Sequence, residues 1–177
     1  MHMDEDTMTT QMKDNLLDWL RDAHAMEEQA EKMLTTTAER LENYPELRRR
    51  IEQHIEETRR QAQSVRGCIE RLGGDTSAIK DATAKMMAMA QGMSGMFVSD
   101  EVVKASLASY TFEHMEIASY RALIAAAEAC GDMETRRVCE QILVEEEAMA
   151  NWLADHLSKT VQEFLVRDET AGTTARH

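Results

Sequence analysis

SLASYTFEHMEIASYRALIAAAEACGD, residues 106–132, reads as one long helix closed by a turn. Ser106, Tyr110, Ile117, Tyr120, Ile124 and Ala127 recur at the three- and four-residue spacing of a single helical face, reckoned at 100° per residue. Glu113 stands at the centre of that face. A carboxylate there is costly to bury unless a counter-charge meets it. Gly131 supplies a left-handed stop, and Asp132 caps the helix that follows.

Two other helices carry the same anomaly. Leu16, Leu20, Ala23, Glu27, Ala30, Leu34 and Leu41 form an apolar stripe interrupted by Glu27, and Cys139, Ile142, Met149, Leu153 and Leu157 form one that passes through Glu146. The fourth stripe, Leu47, Ile51, His54, Thr58, Gln61, Val65 and Leu72, is apolar at both ends and polar in its middle third, with Glu57 on its shoulder. The punctuation predicts a helix from about Thr9 to Glu42 and a second from Pro45 to Leu72, stopping at Gly73-Gly74. A third begins after Ser99 as N-cap and ends at Gly131, and a fourth runs from Asp132 to about Val166. Tight turns make antiparallel hairpins of helices one and two and of helices three and four. Between the hairpins, residues 74–98 are long enough to travel back along the bundle, with a short helix expected from Ala78 to Met89. The expected architecture is all-α, a ferritin-like four-helix bundle with one long crossover. Residues 1–8 are expected to be a disordered acidic N-terminus, 9–168 a single domain, and 169–177 a frayed polar tail.

Composition narrows the function. A net charge of -13 opposes binding to nucleic acid or to an anionic membrane. No stretch has the length and apolarity of a membrane span. Cys68, Cys130 and Cys139 are odd in number and lack CxxC spacing, so a reducing compartment is expected rather than a disulfide framework. MHMDEDTMTT has no basic start followed by an apolar run, and a cytoplasmic protein is expected.

Depth along the helices gathers the acids. Glu27 lies about 17 residues before the first turn and Glu57 about 13 after it, while Glu113 is about 18 before the second and Glu146 about 15 after. Each pair agrees within about one helical turn of about 5 Å. Four carboxylates and an imidazole, His54, at one level fit a dinuclear iron or manganese site, which needs hard oxygen donors, bridging carboxylates and a few nitrogens. Glu116 sits on the flank of its helix, three residues after Glu113. One such glutamate alone would be read as paired with an arginine, and His54 alone as a hydrogen-bonded core residue. Their conjunction, with no arginines at the same positions, favours metal.

The segments DAHAMEEQAEKML (22–34), HIEETRRQ (54–61), FEHMEIASY (112–120) and ILVEEEAMANWL (142–153) resemble the YciE/YciF family of bacterial ferritin-like proteins. The likeness covers nearly the whole chain, and HxxET and EHxEIAxY are its more specific patterns. It implies a four-helix bundle, a dinuclear metal centre, homodimers and a link to stress responses. By position it implies Glu27, Glu57, Glu113 and Glu146 as carboxylate ligands, with Glu116 and His54 as further candidates. The chain departs from the broader di-iron pattern: Glu57 is followed three residues later by Arg60, and Glu146 by Met149, so the usual Glu-x-x-His is absent.

The expected function is binding of two Fe ions, with Mn or Zn as alternatives, and an oxidase- or peroxidase-like reaction with oxygen or peroxide. Glu57 and Glu146 would bridge and Glu27 and Glu113 would be terminal. The competing expectation is a non-catalytic structural or interaction module with protonated or water-bridged acids. His114 points about 100° from Glu113, towards the polar face. His24 is expected at the surface, with a role orienting Glu27 as the alternative. Met86, Met87, Met89, Met93 and Met96 in the crossover read as flexible packing or a partner surface rather than a soft-metal site. The arginines of helix two, and Glu145, read as solvated.

Overall fold

The computed structural model describes residues 5–75, 99–170 and 172–175, with side chains from residue 10 onward. Among them are four helices: α1 (Glu5–Arg40), α2 (Pro45–Arg71), α3 (Glu101–Ala129) and α4 (Met133–Glu169). The fold is the all-α ferritin-like bundle read from the sequence. The expected short helix at 78–89 and the crossover methionines fall outside the described residues.

The local chemistry explains the ends. Pro45 opens α2, where its missing N–H removes a donor that would lack an intrahelical partner. Gly73 (φ 75°) and Gly131 (φ 69°) take the left-handed conformation that closes α2 and α3. Beyond them, the Gly74 and Asp132 amides donate back to the Ile69 and Ala127 carbonyls at 2.9 and 2.8 Å. Asp132 caps α4 as expected, accepting from the Thr135 amide at 3.2 Å. The cap of α3 is Asp100 rather than Ser99, and its carboxylate turns to Lys104 at 3.3 Å instead of to a backbone amide. α1 begins four residues earlier than Thr9, and α4 runs three residues past Val166.

Cross-helix pairs fix the directions. Arg40 near the end of α1 meets Glu101 at the start of α3, and Glu27 meets Tyr120, so α1 and α3 are antiparallel. Arg71 meets Asp132 and Gln61 meets Glu145, so α2 and α4 are antiparallel as well. With the tight turns at 41–44 and 130–132, α2 and α3 must then run the same way. The end of α2 and the start of α3 therefore lie at opposite ends of the bundle, the connectivity of the ferritin-like class.

The interior is two apolar halves with a polar layer between them. One half gathers Leu16, Leu20, Val65, Ile69, Phe112 and Leu123. The other gathers Leu34, Leu41, Leu47, Ile51, Met149 and Leu153. The tail expected to fray instead closes the second half: Ala175 is buried there, its carbonyl accepts from the Tyr44 hydroxyl at 2.5 Å, and Arg167 donates to Thr174 O at 2.8 Å.

Asp132 combines the α4 cap with two contacts of 2.7 Å from Arg71 Nη2. Asp132→Ala is expected to lower stability by about 1–2 kcal/mol in urea denaturation. A change within experimental error would show that neither contact matters.

Candidate metal centre

The polar layer is built by one inward position on each of four helices, plus one neighbour. Glu27 on α1, His54 on α2, Glu113 and Glu116 on α3 and Glu146 on α4 are all essentially inaccessible to solvent, none more than 1% exposed. Ligand atoms of His54, Glu113, Glu116 and Glu146 all lie within 4.8 Å of one another. His54 Nε2 is 3.3 Å from Glu113 Oε2 and 3.4 Å from Glu146 Oε2. Glu27 joins the layer through its Oε1, which accepts from the buried Tyr120 hydroxyl.

Glu57 stands elsewhere. Its Oε2 lies 2.6 Å from His54 Nδ1 and 3.4 Å from Arg50 Nη1, while Gln53 donates to its Oε1 at 3.0 Å. These contacts hold the carboxylate behind the imidazole, so Glu57, expected as a bridging ligand, stands apart from the cluster of His54, Glu113, Glu116 and Glu146. The consequence is chemical. An Nδ1–H committed to Glu57 leaves Nε2 as the nitrogen facing the acids, the arrangement by which an outer carboxylate orients a histidine ligand.

The layer is poorly satisfied within the protein. Glu27 Oε2, Glu113 Oε2, both oxygens of Glu116 and both oxygens of Glu146 have no hydrogen-bond partner. The single N–H at His54 Nε2 is shared between Glu113 Oε2 and Glu146 Oε2, at 3.3 and 3.4 Å. Each orphaned buried acceptor costs about 1–3 kcal/mol, and more if charged. Burial, with the charge of Glu146, pushes Glu27 and Glu116 far above the usual carboxyl range. Burial also raises Glu113 to about 8, against the pull of His54. Burial opposes a charge on His54, but Glu113, Glu146 and Glu57 outweigh it and hold the imidazolium up to about 12. Glu57, only partly buried, is kept below its ordinary value by His54 and Arg50.

Several of these relations were not evident from spacing. Glu116, read as a flank residue, is fully inside. Arg50, read with the solvated arginines, is half-buried against Glu57. Glu145 is half-buried and accepts from Gln61 Nε2 at 2.8 Å. His24, expected at the surface, is buried, its Nδ1 without a hydrogen bond and 3.9 Å from Glu28 Oε1. His114 is exposed, as expected, and packs edge-on against Tyr110.

Two hairpins joined so that the middle helices run parallel, around buried carboxylates and an imidazole, define a ferritin-like four-helix bundle with a candidate metal site. Residues 11–166 match the family model described as "Domain of unknown function (DUF892)", and the chain belongs to this family. A solved protein of Xanthomonas campestris pv. campestris is 44% identical, with a TM-score of 0.77 over 90% of this chain and 99% of that one. The Escherichia coli stress protein YciF is 24% identical, with a TM-score of 0.70, covering 86% of this chain and 98% of its own. The dodecameric thioferritin of Bacteroides fragilis, a bacterioferritin-related protein, is 22% identical, with a TM-score of 0.68 over 85% and 88% of the two chains. The last two likenesses bear on the fold alone. No helix among the described residues is long and apolar enough to cross a membrane.

The raised groups set the pH response of the metal-free protein. Between the ordinary carboxyl value and about 8, folded Glu113 keeps a proton that the unfolded chain releases, and above about 6.5 His54 does the same. The folded state thus binds more protons, and stability falls as pH rises. In chelator, the melting temperature is expected to be higher at pH 6 than at pH 8, with a smaller difference in Glu113→Gln. A melting temperature that climbs over this range would contradict the burial of these acids.

Proposed function

We propose that the chain binds two divalent metal ions, iron foremost, within the polar layer, and uses them to react with oxygen or peroxide during stress. The observation that carries this reading is the set of buried carboxylate oxygens left without partners in Glu27, Glu113, Glu116 and Glu146. They fit a metal by chemistry as well as by number. Four carboxylates carry four negative charges, which two divalent cations neutralise with His54 as a neutral ligand.

In this reading His54 Nε2, Glu113, Glu116 and Glu146 hold one ion, and Glu27 takes part in holding the other. Glu116 and Glu146, whose oxygens lack a conventional donor, would take the central role that the sequence suggests for Glu57 and Glu146. Bound iron supplies the electrons for reducing the oxidant. Glu57 retains the Nδ1 proton of His54 and fixes the ring. Tyr120 occupies Glu27 Oε1, so that residue presents a single oxygen. Glu113, Glu116 and Glu27 give up their protons as the cations enter, which couples loading to pH. The apolar halves above and below exclude bulk water from the layer.

A metal-free structural role has one observation in its favour: as an imidazolium, His54 already touches Glu113, Glu146 and Glu57. Calorimetric titration of chelator-treated protein with Fe(II) under anaerobic conditions separates the two. About two equivalents are expected, with a rise in melting temperature because the ligand binds the folded state. Glu146→Ala is expected to lose binding at both positions. Under one equivalent in the wild type would favour the structural role.

A further inference from the structure

The four helices do not contribute alike to the two ends of the polar layer, and α2 makes the difference. Along α2 the inward positions after His54 are Thr58 and Gln61, successive turns of the helix, 1% and 2% exposed. Gln61 Nε2 donates to Glu145 Oε2 at 2.8 Å. A carboxylate can only accept, so the amide nitrogen is committed to Glu145 and Oε1 is left buried without a partner. Thr58 is unusual in another way. Thr36, Thr37, Thr111 and Thr160 each donate the hydroxyl to the carbonyl four residues earlier, as helical threonines do. Thr58 Oγ1 makes no such bond and is buried unpartnered.

These oxygens lie at the level of Glu27. Arg59 Nε reaches Glu31 Oε1 at 2.7 Å, which sets residues 58–61 of α2 beside 27–31 of α1. The Gln61–Glu145 bond sets the same turn beside Glu146 of α4. Among the described residues, the unpartnered oxygens at this level belong to Glu27, Gln61, Thr58, Glu116 and Glu146, and the one unpartnered nitrogen nearby is His24 Nδ1. His24 Nδ1 is turned to the half-exposed Glu28, 3.9 Å from its Oε1, and Met149 packs with the opposite apolar half.

We propose that the layer holds two unlike cation positions, and that the one beside Glu27 is an all-oxygen site selecting a hard divalent ion of the manganese class. Gln61 and Thr58 are its uncharged donors. The position at His54, with its imidazole, takes a borderline ion such as zinc or ferrous iron, whereas carboxylate, carbonyl and hydroxyl oxygens suit manganese, magnesium or calcium. This inference rests on the metal-binding reading above and deepens it.

The test loads chelator-treated protein with one equivalent of Zn(II), removes the excess, and titrates with Mn(II). Free Mn(II) is followed by its electron paramagnetic resonance signal and retained zinc by elemental analysis. About one Mn(II) per chain is expected to bind with zinc retained. Gln61→Leu is expected to weaken manganese binding tenfold or more without loss of zinc, Thr58→Val to weaken it in the same direction, and Gln61→Glu to restore or tighten it. His54→Gln is expected to lose zinc and keep manganese. Circular dichroism confirms that each variant is folded. Displacement of zinc by manganese, or wild-type manganese affinity in both Gln61→Leu and Thr58→Val, overturns the unlike-site assignment while leaving metal binding standing. A wild-type protein that takes up neither ion overturns both readings.

Discussion

Four acids shut away from water in the middle of a helical bundle set the terms for everything around them. Glu27, Glu113, Glu116 and Glu146 arrive from three helices at the one level where the apolar packing is interrupted. Fully ionised and alone they would repel one another in a medium that screens them poorly. The fold meets this with one imidazolium, His54, and with protons held far above their usual range. Even so, Glu27 Oε2, Glu113 Oε2 and both oxygens of Glu116 and Glu146 lack a conventional donor. A layer so constituted is stable only because the apolar halves on either side are well packed, and it is receptive to positive charge for the same reason.

The arrangement is graded from inside to outside. His54 touches the inner acids with one nitrogen and Glu57 with the other, and Glu57 in turn meets Arg50 and Gln53 near the surface. On the far side Gln61 spans from the layer to Glu145, and Tyr120 closes one oxygen of Glu27. His54, Gln61 and Glu27 thus each have a partner that fixes their orientation. Such pre-set orientation is what distinguishes a built site from acids trapped by chance, since outer contacts orient the groups that face a ligand.

The inner glutamates and His54 were legible because a period of 3.6 residues marks the inner face of a long helix, and an acid on an otherwise apolar line stands out. The bundle connectivity was legible from Pro45, Gly73 and Gly131, whose backbone requirements mark turns regardless of packing. Shoulder positions were harder. Glu57 follows His54 by three residues and Glu116 follows Glu113 by three, yet one turns out and the other in. Spacing treats them alike. Partners decide: Arg50, seven residues before Glu57, draws it outward, while nothing comparable on α3 draws Glu116 from the layer. The orientation of Gln61 likewise depends on Glu145, 84 residues away. The frayed tail was misread because its polarity conceals one alanine that fits beneath Tyr44.

That contact has a bearing on how the chain is assembled. The Tyr44 hydroxyl and the Ala175 carbonyl are 131 positions apart. During synthesis from the N-terminus, the compartment under the first interhelical turn lacks Ala175 until α4 is complete, whereas Cys139 and Ile142 of the opposite compartment come from the early part of α4. The bundle should therefore consolidate from one end to the other, with the segment around Ala175 covering the second compartment after α4 has formed.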